Sequence, residues 1–134
     1  MHALSFLYPA GSQPFDAVHW KEVHLPLGLG LTDKHLGIRP DRIMLFHAIR
    51  GGDLQDASAP YGAIATCIFS DKEQVEAFST LFEFEEAARR LSEDFPNYTA
   101  GPPNVMVCEI RDVTDIDVMI EQFQADEAGR QNDR

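Results

Sequence analysis

Four short segments of the chain are rich in apolar residues and are bounded by proline, glycine or polar residues, a pattern typical of β-strands. They run over Leu4 to Tyr8, Arg42 to Arg50, Tyr61 to Phe69 and Val105 to Ile110. The first segment ends where Pro9, Gly11 and Pro14 interrupt regular structure. We therefore expect four strands.

A first helix is predicted after the first strand. Asp16 is a suitable N-cap, because its carboxylate can accept hydrogen bonds from free amides and favours the positive end of the helix dipole. The helix is expected to run from Ala17 to about Leu25. Pro26 lacks an N–H group and restrains the residue before it, so Leu27 to Leu31 is expected to form only a loose turn.

A second helical region is predicted after the third strand, where Ser70 and Asp71 are suitable N-cap residues. Its apolar residues recur at the spacing of one helical face, namely Val75, Phe78, Leu81 and Phe82. A further helical segment is expected over Phe84 to Phe95. Two helices therefore alternate with the four predicted strands.

The predicted order of elements is β-α-β-β-α-β, which is the order of the ferredoxin-like fold. Both helices then pack on one face of a four-stranded antiparallel sheet, giving an α+β sandwich. We assign residues 1–113 to this domain and residues 114–134 to an acidic C-terminal segment. Within that segment, Thr114 to Phe123 is expected to form a short helix, and the polar residues from Asp126 onward are expected to fray.

The predicted strands are apolar on both faces, although two helices cover only one face of such a sheet. An antiparallel sheet with one solvated face normally shows polar residues at alternate positions, and the third and fourth segments show almost none. A second copy packed sheet against sheet would bury the other face, so we expect a homodimer. The alternative is that this face lines a ligand cavity within one chain, and the two arrangements are compatible.

The formal net charge of −11 at pH 7 argues against two classes of partner. Nucleic acids and anionic membrane surfaces are both bound through lysine and arginine, which are outnumbered here. The N-terminal segment lacks a basic leader and a cleavage site of small residues, so no signal peptide is expected. Cys67 and Cys108 are too few for a metal site or a disulfide framework. Reduced thiols without a leader indicate a cytoplasmic protein.

Five short motifs occur along the chain in the order found in one known family. They are Tyr8-Pro9, Phe15-Asp16, His24-Leu25-Pro26-Leu27, Tyr61-Gly62-Ala63-Ile64-Ala65 and Asp94-Phe95-Pro96-Asn97-Tyr98-Thr99. In these motifs the chain from about Leu4 to Val113 resembles EthD-domain proteins. The resemblance implies a dimeric α/β barrel with a sheet-lined pocket in each protomer.

The resemblance also implies a small, apolar, partly oxygenated ligand and no cofactor. The wider barrel group includes cofactor-independent monooxygenases, polyketide cyclases, dehydratases and lactone isomerases, and some EthD proteins are linked to ether-degradation gene clusters. An enzyme of the isomerase, dehydratase or monooxygenase type is one interpretation. A non-catalytic carrier or accessory protein is the second, and a purely structural interaction module is the third.

His24 is the first candidate catalytic residue, because it matches the histidine of the family motif and lies at the predicted end of the first helix. An imidazole with a pKa near neutrality can act as a general acid or base on an oxygenated substrate. The alternative is that His24 caps helix carbonyls or contacts the dimer partner, and takes no part in chemistry.

Four further residues are candidates for substrate binding. Trp20 lies four positions before His24, on roughly the same helical face, where its ring could form a pocket wall. His47 is a polar group in an apolar strand, and is either a pocket residue or an ordinary core histidine. Tyr8 and Tyr61 lie at strand ends, where a phenol can bond a substrate oxygen or simply occupy an edge.

No metal site is predicted. His19 and His24 are five positions apart, whereas the histidine pairs of zinc-binding helices are four apart. The segment Gly28-Leu29-Gly30 follows a helix rather than a strand, so it does not match a phosphate-binding loop. No serine lies in the Gly-x-Ser-x-Gly motif of a nucleophile elbow. The expected chemistry is therefore acid–base chemistry without a cofactor.

Overall fold

Four strands form an antiparallel sheet in the computed structural model, which describes residues 1–52 and 58–132. The strands are β1 (His2–Pro9), β2 (Arg42–His47), β3 (Tyr61–Phe69) and β4 (Asn104–Glu109). Their spatial order is β2-β3-β1-β4, so β3 and β1 form the centre of the sheet. With the helices between the strands, this is the ferredoxin-like α+β fold, and the predicted fold class is confirmed.

The first helical region continues well beyond its predicted end at Leu25. It comprises α1 (Ala17–His19), one π-helical turn (Trp20–His24) and α2 (Leu25–Leu36). Asp16 is the N-cap, as predicted, and its Oδ1 accepts a hydrogen bond from the backbone N–H of His19 at 3.0 Å. Gly37 ends α2 with a φ of 65°, a left-handed conformation that glycine adopts without steric cost.

The predicted break at Pro26 does not occur, because the π turn before it changes the hydrogen-bond pattern. The N–H of Leu25 donates to the carbonyl of Trp20, five residues earlier. Pro26 then lies in the first turn of α2, where its fixed φ is suitable and its missing N–H removes no required bond. The prediction that Leu27 to Leu31 forms only a loose turn is therefore wrong.

The second helical region begins as predicted. Asp71 caps it, because its Oδ1 accepts from the backbone N–H of Gln74 at 2.9 Å. The region comprises α3 (Lys72–Phe78), a 3-10 turn (Leu81–Glu83), α4 (Glu85–Asp94) and a second 3-10 turn (Phe95–Asn97). The second 3-10 turn connects α4 to the loop that leads into β4.

The buried core lies between these helices and one face of the sheet. From the sheet it contains Leu4, Tyr8, Ala65, Cys67 and Phe69. From the helices it contains Trp20, Leu31, Val75, Phe78, Leu81, Ala87 and Leu91. Phe82 is the exception among the predicted apolar positions, because its side chain is 41% exposed.

The opposite face of the sheet, called the open face below, has no covering layer of helices in the described chain. Its side chains are mainly apolar: Ala3, Leu7, Met44, Phe46, Ile64, Ile68 and Met106. Ser5 and Thr66 share a hydrogen bond of 2.9 Å near its centre. Phe46 and Met106 are each more than half exposed. The sequence-based expectation of a sheet that is apolar on both faces is met.

The C-terminal segment forms α5 (Ile116–Asn132), which is longer than the short helix predicted over Thr114 to Phe123. The carboxylate of Asp115 accepts from the backbone N–H of Val118 near its start. The predicted fraying from Asp126 onward is not observed up to Asn132, because the helix continues through this stretch. Among the described residues, no helix combines the length and the hydropathy that a transmembrane segment requires.

Candidate functional site

The carboxylate of Asp94 connects two histidines. Its Oδ2 lies 3.0 Å from Nδ1 of His24, and its Oδ1 lies 2.8 Å from Nε2 of His19. The side-chain amide of Asn97 donates a third hydrogen bond to Oδ1 at 3.0 Å. Asp94 and His24 are both buried. Because an ionised carboxylate can only accept, each imidazole nitrogen at Asp94 must carry a proton.

The π turn explains how two histidines that are five positions apart reach the same carboxylate. In an α-helix such residues point about 140° apart. The turn from Trp20 to His24 inserts one extra residue, which rotates His24 back toward the side on which His19 lies. Asp94 is supplied by the last residue of α4, and Asn97 by the 3-10 turn that follows.

Burial and hydrogen bonding act in opposite directions on Asp94. Burial alone would raise the pKa of its carboxyl, but the hydrogen bonds from Asn97, His19 and His24 outweigh it, so the pKa is lowered. Burial also lowers the pKa of the His24 imidazole, and the neighbouring Asp94 charge offsets this only in part. His24 is therefore neutral near pH 7. Its proton is on Nδ1, which leaves the lone pair on Nε2.

His24 lines an internal cavity of about 60 Å³ between the first helical region and the sheet. A cavity of roughly 15 Å³ can already hold one water molecule, so this space admits several atoms of a ligand. The lining is mainly aromatic and aliphatic, and includes Phe6, Trp20, Leu25, Ile43, Phe78, Phe82 and Phe95. Nε2 of His24 has no hydrogen-bond partner among the described residues. His24 is thus a wall residue of an apolar cavity and carries a basic nitrogen that is unpaired within the described chain.

Tyr8 and Tyr98 support this arrangement from one side. The hydroxyl of Tyr98 donates to the hydroxyl of Tyr8 at 3.3 Å, and burial raises the pKa of both phenols. The Tyr98 ring lies 4.5 Å from the His24 ring, centroid to centroid, and stacks on His19 at 6.0 Å. Tyr98 therefore fixes both imidazoles, while the neutral Tyr8 hydroxyl lies at the cavity wall.

The structure brings together three of the five residues proposed from the sequence. His24, Tyr8 and Trp20 line the same cavity. His47 and Tyr61 do not reach it, since both line a separate open depression at the end of the sheet. His47 is exposed there, with its ring centroid 5.7 Å from that of Phe15.

Sequence reasoning missed the acidic half of the site. Asp94, His19 and Asn97 were not among the candidates, although two of them lie in the Asp94-to-Thr99 motif. The signal that could have identified Asp94 is its position at the end of an amphipathic helix. It is followed by Phe95-Pro96-Asn97-Tyr98 rather than by a run of polar residues. His19 was considered only as a zinc ligand together with His24. It was rejected because residues five positions apart point to different sides of an α-helix.

Among the described residues, no group of three or more histidine, cysteine, aspartate or glutamate side chains is arranged to hold a metal ion. Cys67 lines the cavity, but burial raises the pKa of its thiol to about 12. The thiol is therefore protonated at neutral pH and is a poor nucleophile. Both cysteines are free, with Cys67 buried and Cys108 half-buried.

Comparison of the backbone with solved structures shows what this chain is similar to. The crystal structure of an EthD-like protein from Ralstonia eutropha JMP134 superposes with a TM-score of 0.63 at 17% sequence identity, and the match covers 87% of this chain and 96% of that one. The fold is an EthD-like fold. A second structure, an ethyl tert-butyl ether D (EthD) family protein from Bacillus halodurans C-125, gives a TM-score of 0.49 at 18% identity over 81% and 97% of the two chains.

The resemblance expected from the short sequence motifs is thus confirmed at the level of the fold. No protein-family model and no curated protein sequence matches the chain. The EthD-like fold holds the first helical region and α4 on the same side of the sheet, which is what places His19 and His24 beside Asp94. One fold can support many functions, so the activity of this site depends on its own residues and their chemistry.

The lowered pKa of His24 predicts a pH-dependent stability. Below about pH 6.5, the unfolded chain binds a proton at His24 that the folded chain does not, so the free energy of unfolding should fall as the pH decreases. The change is His24→Asn, whose side-chain amide can still donate to Asp94. Urea denaturation at pH 7.5 and 5.5 should show a larger decrease for the wild type than for this variant. An equal decrease would contradict the lowered pKa.

Proposed function

We propose that this protein binds a small apolar molecule that carries an oxygen, and that it acts on this molecule by acid–base chemistry without a cofactor. The observation that carries the proposal is the Asp94–His24 pair, because His24 lines an apolar cavity and its Nε2 has no partner in the described chain. A neutral imidazole held in one tautomer by a carboxylate is suited to remove a proton from a bound substrate.

Two neighbours of His24, the Asp94 carboxylate and the apolar cavity, favour transfer of a proton from the substrate. Nε2 takes a proton from a C–H group next to a carbonyl, the new N–H bond forms, and the electron pair stays on the substrate as an enolate. The resulting imidazolium is stabilised by the Asp94 carboxylate, which stays ionised because its pKa is lowered. In an apolar cavity this charge pairing is stronger than in water.

Three outcomes are open to such an enolate. Return of the proton to another carbon gives isomerisation, and loss of a neighbouring hydroxyl, which leaves as water with the proton held on His24, gives dehydration. Oxygenation would require dioxygen as the oxidant. Tyr8 and Trp20 line the same cavity, and we assign them to the orientation of the substrate, with the protonated Tyr8 phenol as the donor to its oxygen. His47 and Tyr61 are not part of this proposal.

The proposal can be tested without knowing the natural substrate. Cyclohexanone in D₂O serves as the probe, and ¹H NMR follows the exchange of its α-protons for deuterium. The wild type should accelerate this exchange about 100-fold or more over His24→Asn, the range expected of general-base catalysis. The chain has one tryptophan, Trp20, which lies in the cavity. Its fluorescence therefore reports binding of the probe in both proteins.

A non-catalytic carrier or accessory protein is the second candidate, and the almost wholly apolar lining of the cavity favours it. A carrier would quench or shift Trp20 fluorescence on binding cyclohexanone, with no faster exchange than the variant. Binding with exchange supports the enzyme, and binding without exchange supports the carrier. The absence of any binding would contradict both.

We further propose that the protein is a cytoplasmic homodimer in which two copies pack through the open face. The apolar side chains of this face and its two exposed members, Phe46 and Met106, support the dimer. The two free cysteines fit a reducing compartment.

Native mass spectrometry of the wild type should give the mass of two chains. Phe46→Glu places a charge in the proposed interface and should raise the dissociation constant of the dimer at least about tenfold, as a dilution series shows, because a buried unpaired charge is costly. The matched control is Val18→Glu on α1, where the side chain is exposed and remote from the open face. A wild-type monomer, or a Phe46→Glu variant with the same dissociation constant as the wild type, would contradict packing through this face.

A further inference from the structure

α5 carries an apolar stripe that has no packing partner in the described chain. Its members recur at the spacing of one helical face, and they are Ile116, Met119, Ile120 and Phe123. The four side chains are 68%, 51%, 50% and 64% exposed. Helices in proteins are stabilised mostly by packing an apolar face against the rest of the molecule. The stripe therefore needs a surface to cover it.

A second uncovered apolar surface lies at the edge of the sheet, and we call it the β4 surface. It consists of Val105 and Val107 on the helix-covered side of β4, together with Phe82 from the 3-10 turn. Val105 lies opposite Phe6 and Val107 lies opposite Leu4 in the strand pairing. All three members are exposed, by 51%, 52% and 41%.

The β4 surface is also concave. Val105 and Phe82 line a cleft of about 270 Å³ together with Leu4, Phe6, Phe78, Ser79 and Leu81. β4 is an edge strand, and exposed apolar edge strands are normally covered by a helix or a loop. A helix with one apolar face fits a groove of this kind through side chains at i, i+3, i+4 and i+7.

We propose that the apolar stripe of α5 docks on the β4 surface of a second copy of this chain. The segment 110–115 joins β4 to α5 and can span about 20 Å when extended, enough to carry the helix to a neighbouring molecule. Within its own molecule α5 leaves the β4 surface uncovered, as the exposed fractions of both surfaces show. The exchange is reciprocal, so each copy would cover the β4 surface of the other. It does not depend on the chemistry proposed for His24.

Disulfide capture between two single variants tests the exchange. Val105→Cys and Met119→Cys are made separately in full-length chains that also carry Cys108→Ser, and each chain has a different tag. Mixing, brief denaturation and refolding should give a disulfide-linked heterodimer containing both tags under mild oxidation. The matched control is Glu121→Cys, on the opposite side of α5, which should give at most a tenth of this product.

The double variant with both cysteines in one chain separates the two possible arrangements. Exchange between copies predicts covalent dimers, whereas α5 folding back on its own β4 surface predicts an internally linked monomer. The internally linked monomer would overturn the proposal, as would equal yields from Met119→Cys and Glu121→Cys.

Amide hydrogen exchange of the unmodified protein provides an independent measurement. Protection of α5 should increase with protein concentration if the helix packs on another molecule. Protection that is the same over a 100-fold range of concentration, spanning monomer and assembled protein, would overturn the proposal. Failure of the α5 exchange is distinguishable from failure of the open-face dimer. Phe46→Glu tests the open face and leaves both the α5 stripe and the β4 surface unchanged.

Discussion

Replacing Asp94 with alanine should lower the free energy of unfolding by about 3 kcal/mol, because each hydrogen bond to a charged group contributes roughly 1.5–3 kcal/mol. The variant leaves His24, His19 and Asn97 without the oxygens to which they donate. Among these donors His24 is buried, so its Nδ1–H would have neither its acceptor nor water as a partner. Urea denaturation at pH 7.5 measures this loss.

Asp94→Asn separates the charge of Asp94 from its shape. One amide oxygen can still accept from a histidine, so the loss of stability should be smaller than for alanine. The amide nitrogen, however, cannot accept a proton from the second histidine. The exchange of cyclohexanone protons should fall about as far as in His24→Asn, because His24 loses the negative charge that stabilises its protonated form. Full activity in Asp94→Asn would contradict the role assigned to the carboxylate.

Replacing Tyr98 with alanine should cost about 4 kcal/mol of stability, as expected for removal of a large buried aromatic side chain. Tyr98 is fully buried, and its ring contacts those of Tyr8, Phe15, His19, His24 and Phe95. The resulting cavity lies beside both imidazoles, so the Asp94 site should lose its geometry together with the core. Thermal and urea unfolding measure the effect.

Tyr98→Phe is the matched control, because it keeps the ring and removes only the hydroxyl that donates to Tyr8. At 3.3 Å this hydrogen bond is long, and its loss should cost about 1 kcal/mol. A Phe variant as unstable as the alanine variant would show that the hydroxyl, rather than ring packing, holds this part of the core. An alanine variant as stable as the wild type would contradict the packing argument itself.

The fold was predictable because its strands and caps depend on local chemistry. Asp16 and Asp71 cap helices as their carboxylates and positions indicate, and β3 spans the residues expected from its apolar run. Pro26 misled the prediction, since the rule that proline ends a helix holds for an uninterrupted α-helix. A π turn before the proline restarts the helix, and no local pattern in the sequence indicated that turn.

The sequence could identify only those site residues whose own type and position within one helix or strand indicate a function. His24 and Trp20 share a helix, so their spacing could be evaluated from the sequence. Asp94 reaches His24 from a different helix, 70 residues away in the sequence, and periodicity within a helix says nothing about contacts between helices. His47 was proposed as a polar group in an apolar strand and Tyr61 as a phenol at a strand end, but both lie at a separate depression away from the cavity.

The π turn at Trp20 to His24 also defines how much sequence change the first helical region can accept. Deleting one residue between His19 and His24 would restore an ordinary α-helix while the residues on either side keep their positions, because a π turn accommodates one inserted residue. Leu31 would stay in the core, and the two histidines would lie four positions apart, about 40° from each other around the helix. Homologous proteins with a one-residue gap at this place are thus expected to carry the same pair of histidines at a spacing of four, so the search for chains that share the site should allow both spacings.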